Sequence, residues 1–555
     1  MKRILPLSVV ILLAGFIANS HGQADAVQAG LDAITKEAVQ GQLEFLASDW
    51  TEGRNTGQKG AYLAADYIAS MFKVYGLEPG GDVDSTTISR WEMMQGIRPV
   101  TFPTYFQNIN MIQYEPGEDN ELSLQVGEKT YYFNHETDFE VEASDISTEV
   151  EAPVVFVGYG YVNDDAGYND FKGVDVKDKI ILRLYGYPGY YDVTCEAYKK
   201  INENRRVSLR RLSRSKNNIA REKGALAIIE VNLEKDETYE WISNTPFRYN
   251  TRLYEGDEEP NPYTFRMKLP EDTISSNPPR ITVSKRVMTE ITKSSGLNLK
   301  EFAEKVKTTV KPASKEIAAK VRIKTSVNSK IVKARNVIGV IPGKDPDNII
   351  VLGAHYDHLG IQDGYIWNGA DDNASGTVGV MTIAKAIMAA GVQPEYTIVF
   401  CAWTGEEKGL LGSTYFVDHP YKPVENIKLY MNYDMISRDS PNDEEGNKIR
   451  MEYTKGYSGL EENVINNNEK YEMGLDISFQ SSVRPRGGSD HTPFAQKDIP
   501  IFYFMAGFPR EYHEADDHVS LVNWDKMVKI IKLGYLNIWK YSNNELMKEE
   551  TEDKE

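Results

Sequence analysis

Apolar residues recur at helical spacing in two segments near the start of the chain, residues 34–49 and 59–81. In both segments an apolar side chain returns every three or four positions, which is the periodicity of an amphipathic helix. The second segment ends at a glycine pair, a common helix stop. The stretch between them, WTEGRNTGQ, is rich in turn-forming residues. The pattern therefore predicts two helices joined by a loop.

The pattern changes between about Glu121 and Thr325. Short apolar runs such as APVVFVGYGYV, DKIILRLYGY and ALAIIEVNL are separated there by turn-forming loops. This alternation is typical of a mixed, β-rich unit. We therefore predict a separate domain at residues 121–325, which lies in sequence between residues 23–120 and residues 326–545.

From Asn336 onward, strand-like apolar runs alternate with helical ones. A helical run covers about residues 374–390 and ends at Gly391. The strand-like runs are NVIGVIPG, NIIVLGAHYD, YTIVFCAW, IKLYMNYDMIS and IPIFYF. Such alternation predicts an α/β domain, with a layered sheet covered by helices on both faces. Functional side chains are then expected where the strands end.

The two ends of the chain differ from the rest in composition. Lys2 and Arg3 precede an apolar run from Ile4 to Ala18, which is the layout of a secretory signal peptide. The run is shorter than the roughly 20 residues that span a bilayer. We therefore predict a cleaved signal at residues 1–22, export to the periplasm or beyond, and no membrane span in the mature chain. The acidic residues 546–555 are predicted to be disordered.

Charge and cysteine content narrow the classes of partner. The chain has 63 basic and 82 acidic side chains, a net charge of -19, which argues against nucleic acid as a partner. Only Cys195 and Cys401 are present, too few for a disulfide scaffold. These features do not exclude a peptide or protein substrate, and they do not indicate the oligomeric state.

Histidines concentrate in the second half of the chain. Six of the eight lie there, at positions His355, His358, His419, His491, His513 and His518. Neutral imidazole is the commonest metal ligand, and carboxylates often accompany it at zinc. His355 and Asp357 come at the end of a predicted strand, two residues apart and hence on one side of it. Asp357 is then placed to hold the second nitrogen of His355.

Acidic residues likewise lie where a predicted strand ends or just before a predicted helix. Asp372 lies in WNGADDNASG before a predicted helix, Glu406 and Glu407 follow a strand-like run, and Asp434 closes another. Each has an ordinary explanation: Asp371 and Asn373 resemble helix N-caps, and paired glutamates on a loop are usually solvated. Together with His513, however, the order His, Asp, Glu-Glu, Asp, His at strand ends indicates a metal site.

These residues lie in motifs that resemble a known family. The motifs GAHYDHLG, NGADDNASG, TGEEKGLLGS, NYDM and YHEADD are similar to those of the dizinc aminopeptidases of peptidase clan MH, family M28. The resemblance extends to LEFLASDWTEGRNTGQKGAYLAADYI and to GGSDHTPFAQKDIPIFYF. It implies a mixed-sheet zinc exopeptidase domain. The middle segment resembles a protease-associated domain, which members of the family often carry as an insertion.

The resemblance also implies a role for each motif residue. His355 and Asp434 would hold one Zn²⁺ ion, Glu407 and His513 a second, and Asp372 would bridge them. Glu406 would be the general base toward a water that bridges the metals, and Asp357 would orient the first histidine. The histidines without a metal role by this comparison are His358, His491 and His518.

An exported aminopeptidase is the activity that follows, and three alternatives remain open. The same scaffold supports carboxypeptidases, glutaminyl cyclases with one zinc, and binding proteins without catalysis. The complete set of ligands favours two metals and hydrolysis. No motif marks the pocket for the terminal side chain. Tyr503, Phe504 and Phe508 are candidate pocket walls, although ordinary core packing is the favoured explanation for them.

Overall fold

The computed structural model describes residues 24–543 except 136, 191, 203–208, 234–264 and 363, together with residues 547 and 548. The predicted signal peptide lies outside the described residues, as does most of the predicted acidic tail. Residues Met547–Lys548 of that tail pair with Tyr457–Ser458 as a short antiparallel strand. The disorder expected for residues 546–555 as a whole stays a prediction.

The helices, in chain order, are α1 (24–33), α2 (Lys36–Leu46), α3 (Lys59–Tyr75), α4 (Arg90–Met94), α5 (Glu196–Asn202), α6 (Leu209–Glu222), α7 (Lys285–Lys293), α8 (Leu299–Thr309), α9 (Gly376–Ala390), α10 (Leu411–Asp418), α11 (Leu460–Lys470), α12 (His491–Gln496) and α13 (Trp524–Ser542). The two helices predicted near the start are α2 and α3. α3 ends five residues before the predicted glycine pair, because Gly76 adopts a left-handed φ of 90° and its amide donates to the carbonyl of Lys73.

The strands, in chain order, are β1 (Glu78–Pro79), β2 (Val83–Ser85), β3 (Thr101–Pro103), β4 (Phe106–Pro116), β5 (Glu121–Val126), β6 (Lys129–Phe133), β7 (Phe139–Val141), β8 (Thr148–Phe156), β9 (Val162–Asn163), β10 (Tyr168–Asn169), β11 (Ile180–Leu184), β12 (Ala227–Val231), β13 (Arg266–Lys268), β14 (Arg280–Val283), β15 (Lys315–Thr325), β16 (Val327–Ile341), β17 (Asp345–His355), β18 (Gly360–Gln362), β19 (Tyr365–Trp367), β20 (Tyr396–Trp403), β21 (Ile427–Tyr433), β22 (Lys448–Thr454), β23 (Tyr457–Ser458), β24 (Asp476–Ser482), β25 (Ile501–Met505) and β26 (Met547–Lys548). Most of them belong to two large sheets.

The larger sheet has ten strands, in the order β13-β4-β16-β20-β17-β21-β25-β22-β24, with β1 also paired to β16. At its centre β17 runs parallel to β20 and β21, and β21 runs parallel to β25. β16 is antiparallel to β20, and β22 is antiparallel to β25. The sheet is therefore mixed, and the predicted α/β fold is confirmed.

Helices cover both faces of this sheet because its central strands are apolar on both sides. Ile350 and Leu352 of β17 pack with residues of α2, α3, α9 and α13. Their neighbours Ile349 and Val351 point the other way and pack with residues of α10 and α12. Parallel strands have their carboxyl ends at the same edge of the sheet. The carboxyl ends of β17, β20 and β21 therefore lie next to one another. Among the described residues, no helix is long and apolar enough to cross a lipid bilayer.

The second sheet has eight strands, in the order β6-β5-β15-β8-β11-β12-β14-β7. All of them lie between residues 121 and 325, and they enclose a hydrophobic cluster of their own. β13 comes from the same range of sequence, but it pairs with β4 in the larger sheet. The boundaries of the inserted domain stay a prediction.

Candidate metal centre

His355 is the last residue of β17, and its buried imidazole faces two carboxylates. Its Nε2 lies 3.4 Å from Oδ1 of Asp372 and 3.4 Å from Oδ1 of Asp434. Asp434 directly follows β21, the parallel neighbour of β17, so both side chains reach the same edge of the sheet. The donor atoms of these three residues lie within 4.8 Å of one another, close enough to share one metal ion.

Asp372 turns its other oxygen toward a second imidazole. Its Oδ2 lies 3.0 Å from Nε2 of His513, and that nitrogen lies 3.3 Å from Oε2 of Glu407. His513 has a φ of 53°, a left-handed conformation that is uncommon for a residue other than glycine. Asp372 therefore offers one oxygen to each of two donor groups, as a bridging ligand must.

His358, which the sequence predicts to have no metal role, lies in the second donor group. Its Nδ1 is 3.1 Å from Oε1 of Glu407, and its donor atom lies within 4.8 Å of those of Asp372 and Glu407. The ring is buried, and a Cβ at Gly369 would lie 2.4 Å from it. Glu407 thus has one oxygen near His513 and the other near His358. Sequence reasoning missed this contact, because His-x-x-His spacing on a loop does not indicate which way a ring points.

Asp357 supports the site differently from what its spacing predicts. Nδ1 of His355 lies 3.1 Å from the backbone oxygen of Asp357 but 3.9 Å from its carboxylate. The carboxylate instead accepts hydrogen bonds from the backbone amides of Glu406 and Glu407, at 3.1 and 3.3 Å, and from the hydroxyl of Thr56 at 2.9 Å. β17 ends at His355, so strand alternation no longer applies at residue 357. The carboxylate of Asp357 therefore fixes the backbone of Glu406 and Glu407, and its carbonyl oxygen orients His355.

Two buried charges fix the backbone that carries Asp372. Asp517 accepts hydrogen bonds of 2.9 Å from the amides of Asp371 and Asp372. Arg54 donates to the carbonyl oxygen of Gly369 at 2.8 Å. Burial lowers the pKa of Arg54 to about 10, and Asp517 is the strongest of the carboxylates that oppose this effect. The loop is therefore held through its carbonyls on one side and through its amides on the other.

The residues on either side of Asp372 have structural roles. Oδ1 of Asp371 accepts hydrogen bonds of 2.8 Å from the amide and the hydroxyl of Ser437, so this carboxylate does not cap a helix as predicted. Oδ1 of Asn373 accepts from the amide of Gly376 at 2.9 Å, at the start of α9. Because α9 has Ser375 at its N-cap position, Asn373 binds the first amide of the helix without being its N-cap.

Glu406 and Glu407 are adjacent in sequence but lie in opposite electrostatic environments. Burial raises the pKa of Glu406 well above its ordinary value, and the neighbouring carboxylates add to this effect. Burial acts in the same direction on Glu407, but the imidazoles of His513 and His358 outweigh it and lower that pKa. Neighbouring carboxyls with pKa values pushed apart are typical of a proton-transferring group beside a charged ligand.

The donor set fits zinc. Burial alone would lower the pKa of the His355 imidazole, but Glu406 and Asp434 outweigh it and raise that pKa well above its ordinary value. The pocket therefore favours positive charge. Oδ1 of Asp434 is buried and makes no hydrogen bond to any described residue. Imidazole and carboxylate are ordinary zinc ligands, and each of the two donor groups contains both.

Aromatic residues near the site divide between core and surface. Tyr503 and Phe504 are buried in β25, so for them core packing is correct. Phe508 is 53% exposed and meets the ring of Tyr512 edge-on at 5.0 Å. Tyr512 in turn stacks on His513, with 3.9 Å between ring centroids. Burial and four carboxylates of the site raise the pKa of the Tyr512 hydroxyl, which therefore stays protonated. The sequence did not single out Tyr512, although it directly precedes a predicted ligand.

Two further histidines lie outside the donor groups formed by the described residues. His491 is buried and stacks on Tyr503 with 4.7 Å between ring centroids, and burial lowers its pKa to about 3. Nδ1 of His518 accepts a hydrogen bond from the amide of Ser520. Both are thus consistent with the structural roles expected for them.

Several curated relatives of the chain are aminopeptidases by name. Leucine aminopeptidase 2 of Arthroderma otae is 34% identical over 204 residues, which are 35% of this chain and 38% of that protein. Leupeptin-inactivating enzyme 1 of Streptomyces exfoliatus is 28% identical over 211 residues, 34% of this chain and 44% of that protein. The chain therefore spans less than half the length of these relatives.

Solved structures share the fold over most of the chain. An aminopeptidase from Aneurinibacillus sp. strain AM-1 superimposes with a TM-score of 0.54 at 17% identity, covering 93% of this chain and 95% of the other. A zinc aminopeptidase from Bacillus subtilis gives a TM-score of 0.50 at 18% identity, covering 92% and 95%. The sequence profile of Peptidase family M28 matches residues 336–535, which contain all five predicted ligands. Residues 336–535 of this chain therefore match a domain of peptidase family M28, which belongs to clan MH.

Proposed function

We propose that this protein is a zinc-dependent exopeptidase of the aminopeptidase type, with two Zn²⁺ ions per chain. The observation that carries the proposal is the position of Asp372. One of its carboxylate oxygens faces His355 and the other faces His513. A carboxylate shared between two donor groups is the arrangement expected of a two-metal hydrolase site.

The ligand sets follow from these contacts. His355, Asp434 and one oxygen of Asp372 would hold the first ion, and Glu407, His513 and the other oxygen of Asp372 the second. We assign His358 to the support of Glu407, because a separation of 3.1 Å suits a hydrogen bond from Nδ1 to Oε1 and ligand carboxylates are commonly oriented in this way. When bound, zinc supplies Lewis acidity and makes water a stronger acid.

Glu406 is the residue assigned to proton transfer. Its Oε2 lies 3.9 Å from Nε2 of His355, beside the donor groups but within neither of them. As a carboxylate it would take a proton from the attacking water and then return it to the leaving amine. The protonated hydroxyl of Tyr512 would donate a hydrogen bond to the carbonyl oxygen as negative charge develops there.

Removal of a terminal residue from peptides is favoured over the alternative reactions. Relatives named for aminopeptidase activity support the amino-terminal direction. The presence of all five ligands together with Glu406 argues against an inactive binding protein and against a cyclase with one zinc. We further propose that the protein is exported and that the eight-stranded sheet belongs to a protease-associated domain.

Two neighbouring substitutions test the assignment of roles. Glu406→Gln removes the proton acceptor but no ligand, so kcat should fall by about 10²–10⁴-fold while zinc content stays at two ions per chain. Glu407→Gln is the matched control, and it should lower zinc content as well as activity. Assays with aminoacyl, carboxy-terminal and glutaminyl substrates, with chelator and with added zinc, would identify the reaction. Full activity of Glu406→Gln would overturn the mechanism, and pyroglutamate formation would overturn the peptidase assignment.

A further inference from the structure

Residues 82–104, here called the arm, connect β1 to β4, and both of these strands pair with β16 of the larger sheet. β2 and β3 form a two-stranded antiparallel ribbon, with Asp84 opposite Phe102, and α4 lies between them. α4 is locally well formed, since Ser89 and Glu92 make a capping box at its start. None of its five residues is buried. The arm is thus a defined structure with little support from the body of the protein.

The arm carries an unusual amount of exposed apolar surface. Trp91 is 67% exposed and Met94 is 78% exposed. The large apolar side chains exposed on the arm are Val83, Trp91, Met93, Met94, Ile97, Val100 and Phe102. At about 100 Å² each they present on the order of 700 Å². Val83 and Phe102 point to opposite faces of the ribbon, so this area is a total and not one patch. The total approaches the roughly 800 Å² that each partner buries in a standard interface.

Such a ribbon is not expected to be stable in water without a cover. Two-stranded hairpins are marginal on their own, and a helix of five residues does not persist without tertiary contacts. Exposed apolar surface costs about 25 cal/mol per Å² relative to burial. A partner that binds the arm would therefore stabilise its ribbon and helix and would bury its apolar side chains.

Charge favours a second copy of this chain as that partner. Arg90, Arg98 and Asp84 are exposed on the arm, and none of them has an ion-pair partner among the described residues. Across a two-fold axis, arginines of one arm can meet the acidic side chains of the other. The net charge of -19 disfavours approach to an anionic membrane. We propose that the arm forms the interface of a two-fold homodimer, with Trp91 and Met94 at its apolar centre.

Sedimentation velocity of the full chain between about 0.1 and 50 µM tests the dimer, a range that brackets ordinary homodimer affinities. The wild type should sediment as a dimer across this range. The double variant Trp91→Asp with Met94→Asp should weaken the dimer by at least about 100-fold, or 2.7 kcal/mol. The matched control, Tyr132→Asp with Val483→Asp, changes two equally exposed apolar residues outside the arm and should remain a dimer.

A second variant keeps the test valid if the double variant does not fold. Residues 86–100 are replaced by Asn-Gly, which closes the β2–β3 ribbon with a two-residue turn. It should be monomeric, with peptidase activity retained. A wild type that is monomeric throughout, or arm variants that remain dimeric, would overturn the proposal. So would wild-type binding to phosphatidylcholine or phosphatidylserine vesicles that the arm variants lose, because it would identify a membrane surface as the occupant.

Discussion

The carboxylate of Asp517 accepts a hydrogen bond of 2.9 Å from the backbone amide of Asp372. A residue four positions after His513 therefore sets the orientation of the proposed bridging ligand, although it contributes no donor atom to either metal group. Asp517→Asn should lower zinc affinity by about 10–100-fold, as is usual when a group that orients a ligand is lost. Competition with a fluorescent zinc chelator measures this change.

The adjacent Asp516→Asn is the matched control for that experiment, because the amides of Asp371 and Asp372 donate to Asp517 and not to Asp516. Its zinc affinity should equal that of the wild type. Equal affinities for all three proteins would show that the amide contacts do not organise the site.

Arg54 should be essential for stability as well as for the site. Its buried guanidinium donates to the carbonyl oxygens of Tyr356 at 2.7 Å, Asn368 at 2.7 Å and Gly369 at 2.8 Å, and also to that of Leu46. A lysine has three donors on one nitrogen and cannot reach all of these acceptors.

Arg54→Lys should therefore lower the free energy of unfolding by about 2–4 kcal/mol, as measured by urea denaturation of the zinc-loaded protein. Arg486→Lys, at an exposed position, should change it by less than about 0.5 kcal/mol. A loss of the same small size in both variants would contradict the role assigned to Arg54.

Tyr512 should contribute to turnover and not to metal binding. Tyr512→Phe keeps the ring that stacks on His513 and removes only the hydroxyl. We expect kcat to fall by about 10²–10³-fold, the usual cost of removing one donor to a developing oxyanion, with zinc content unchanged. Tyr132→Phe, on the exposed strand β6, is the control. A change confined to KM would instead indicate that the hydroxyl only binds substrate.

His358 should act through Glu407. His358→Asn would remove the hydrogen bond at Oε1 of Glu407 and leave the predicted ligands in place. The zinc needed for half-maximal activity should rise by about 10–100-fold, and excess zinc should restore most of kcat. His419→Asn changes a histidine at the end of α10 and should behave like the wild type. If excess zinc failed to rescue His358→Asn, the residue would have to act as a ligand or in catalysis.

The sequence predicts which side chains meet where β17 and β21 end, because their positions follow from local patterns. Apolar runs followed at once by His355 or Asp434 place these residues at the ends of buried strands, and parallel strands bring such ends together. The change in pattern near Glu121 likewise reflects strands of a different sheet. To predict these features, the periodicity of apolar residues and the geometry of a sheet are sufficient.

The supporting contacts could not be predicted because they join distant segments through loops. Arg54 meets a carbonyl 315 positions away in sequence, and no periodicity predicts that contact. The side chain of Asp357 turns to the glutamate amides because the strand has already ended at His355. The sequence favours core packing for Tyr503 and Phe504 but cannot decide it, since burial depends on what packs against both faces of β25.

Zinc anomalous diffraction from crystals of the purified chain tests the central claim most directly. Two peaks are predicted, one bounded by His355, Asp434 and Asp372 and the other by Glu407, His513 and Asp372, and Asp372→Asn should weaken both. A single peak, or two peaks that do not share Asp372, would contradict the two-zinc site.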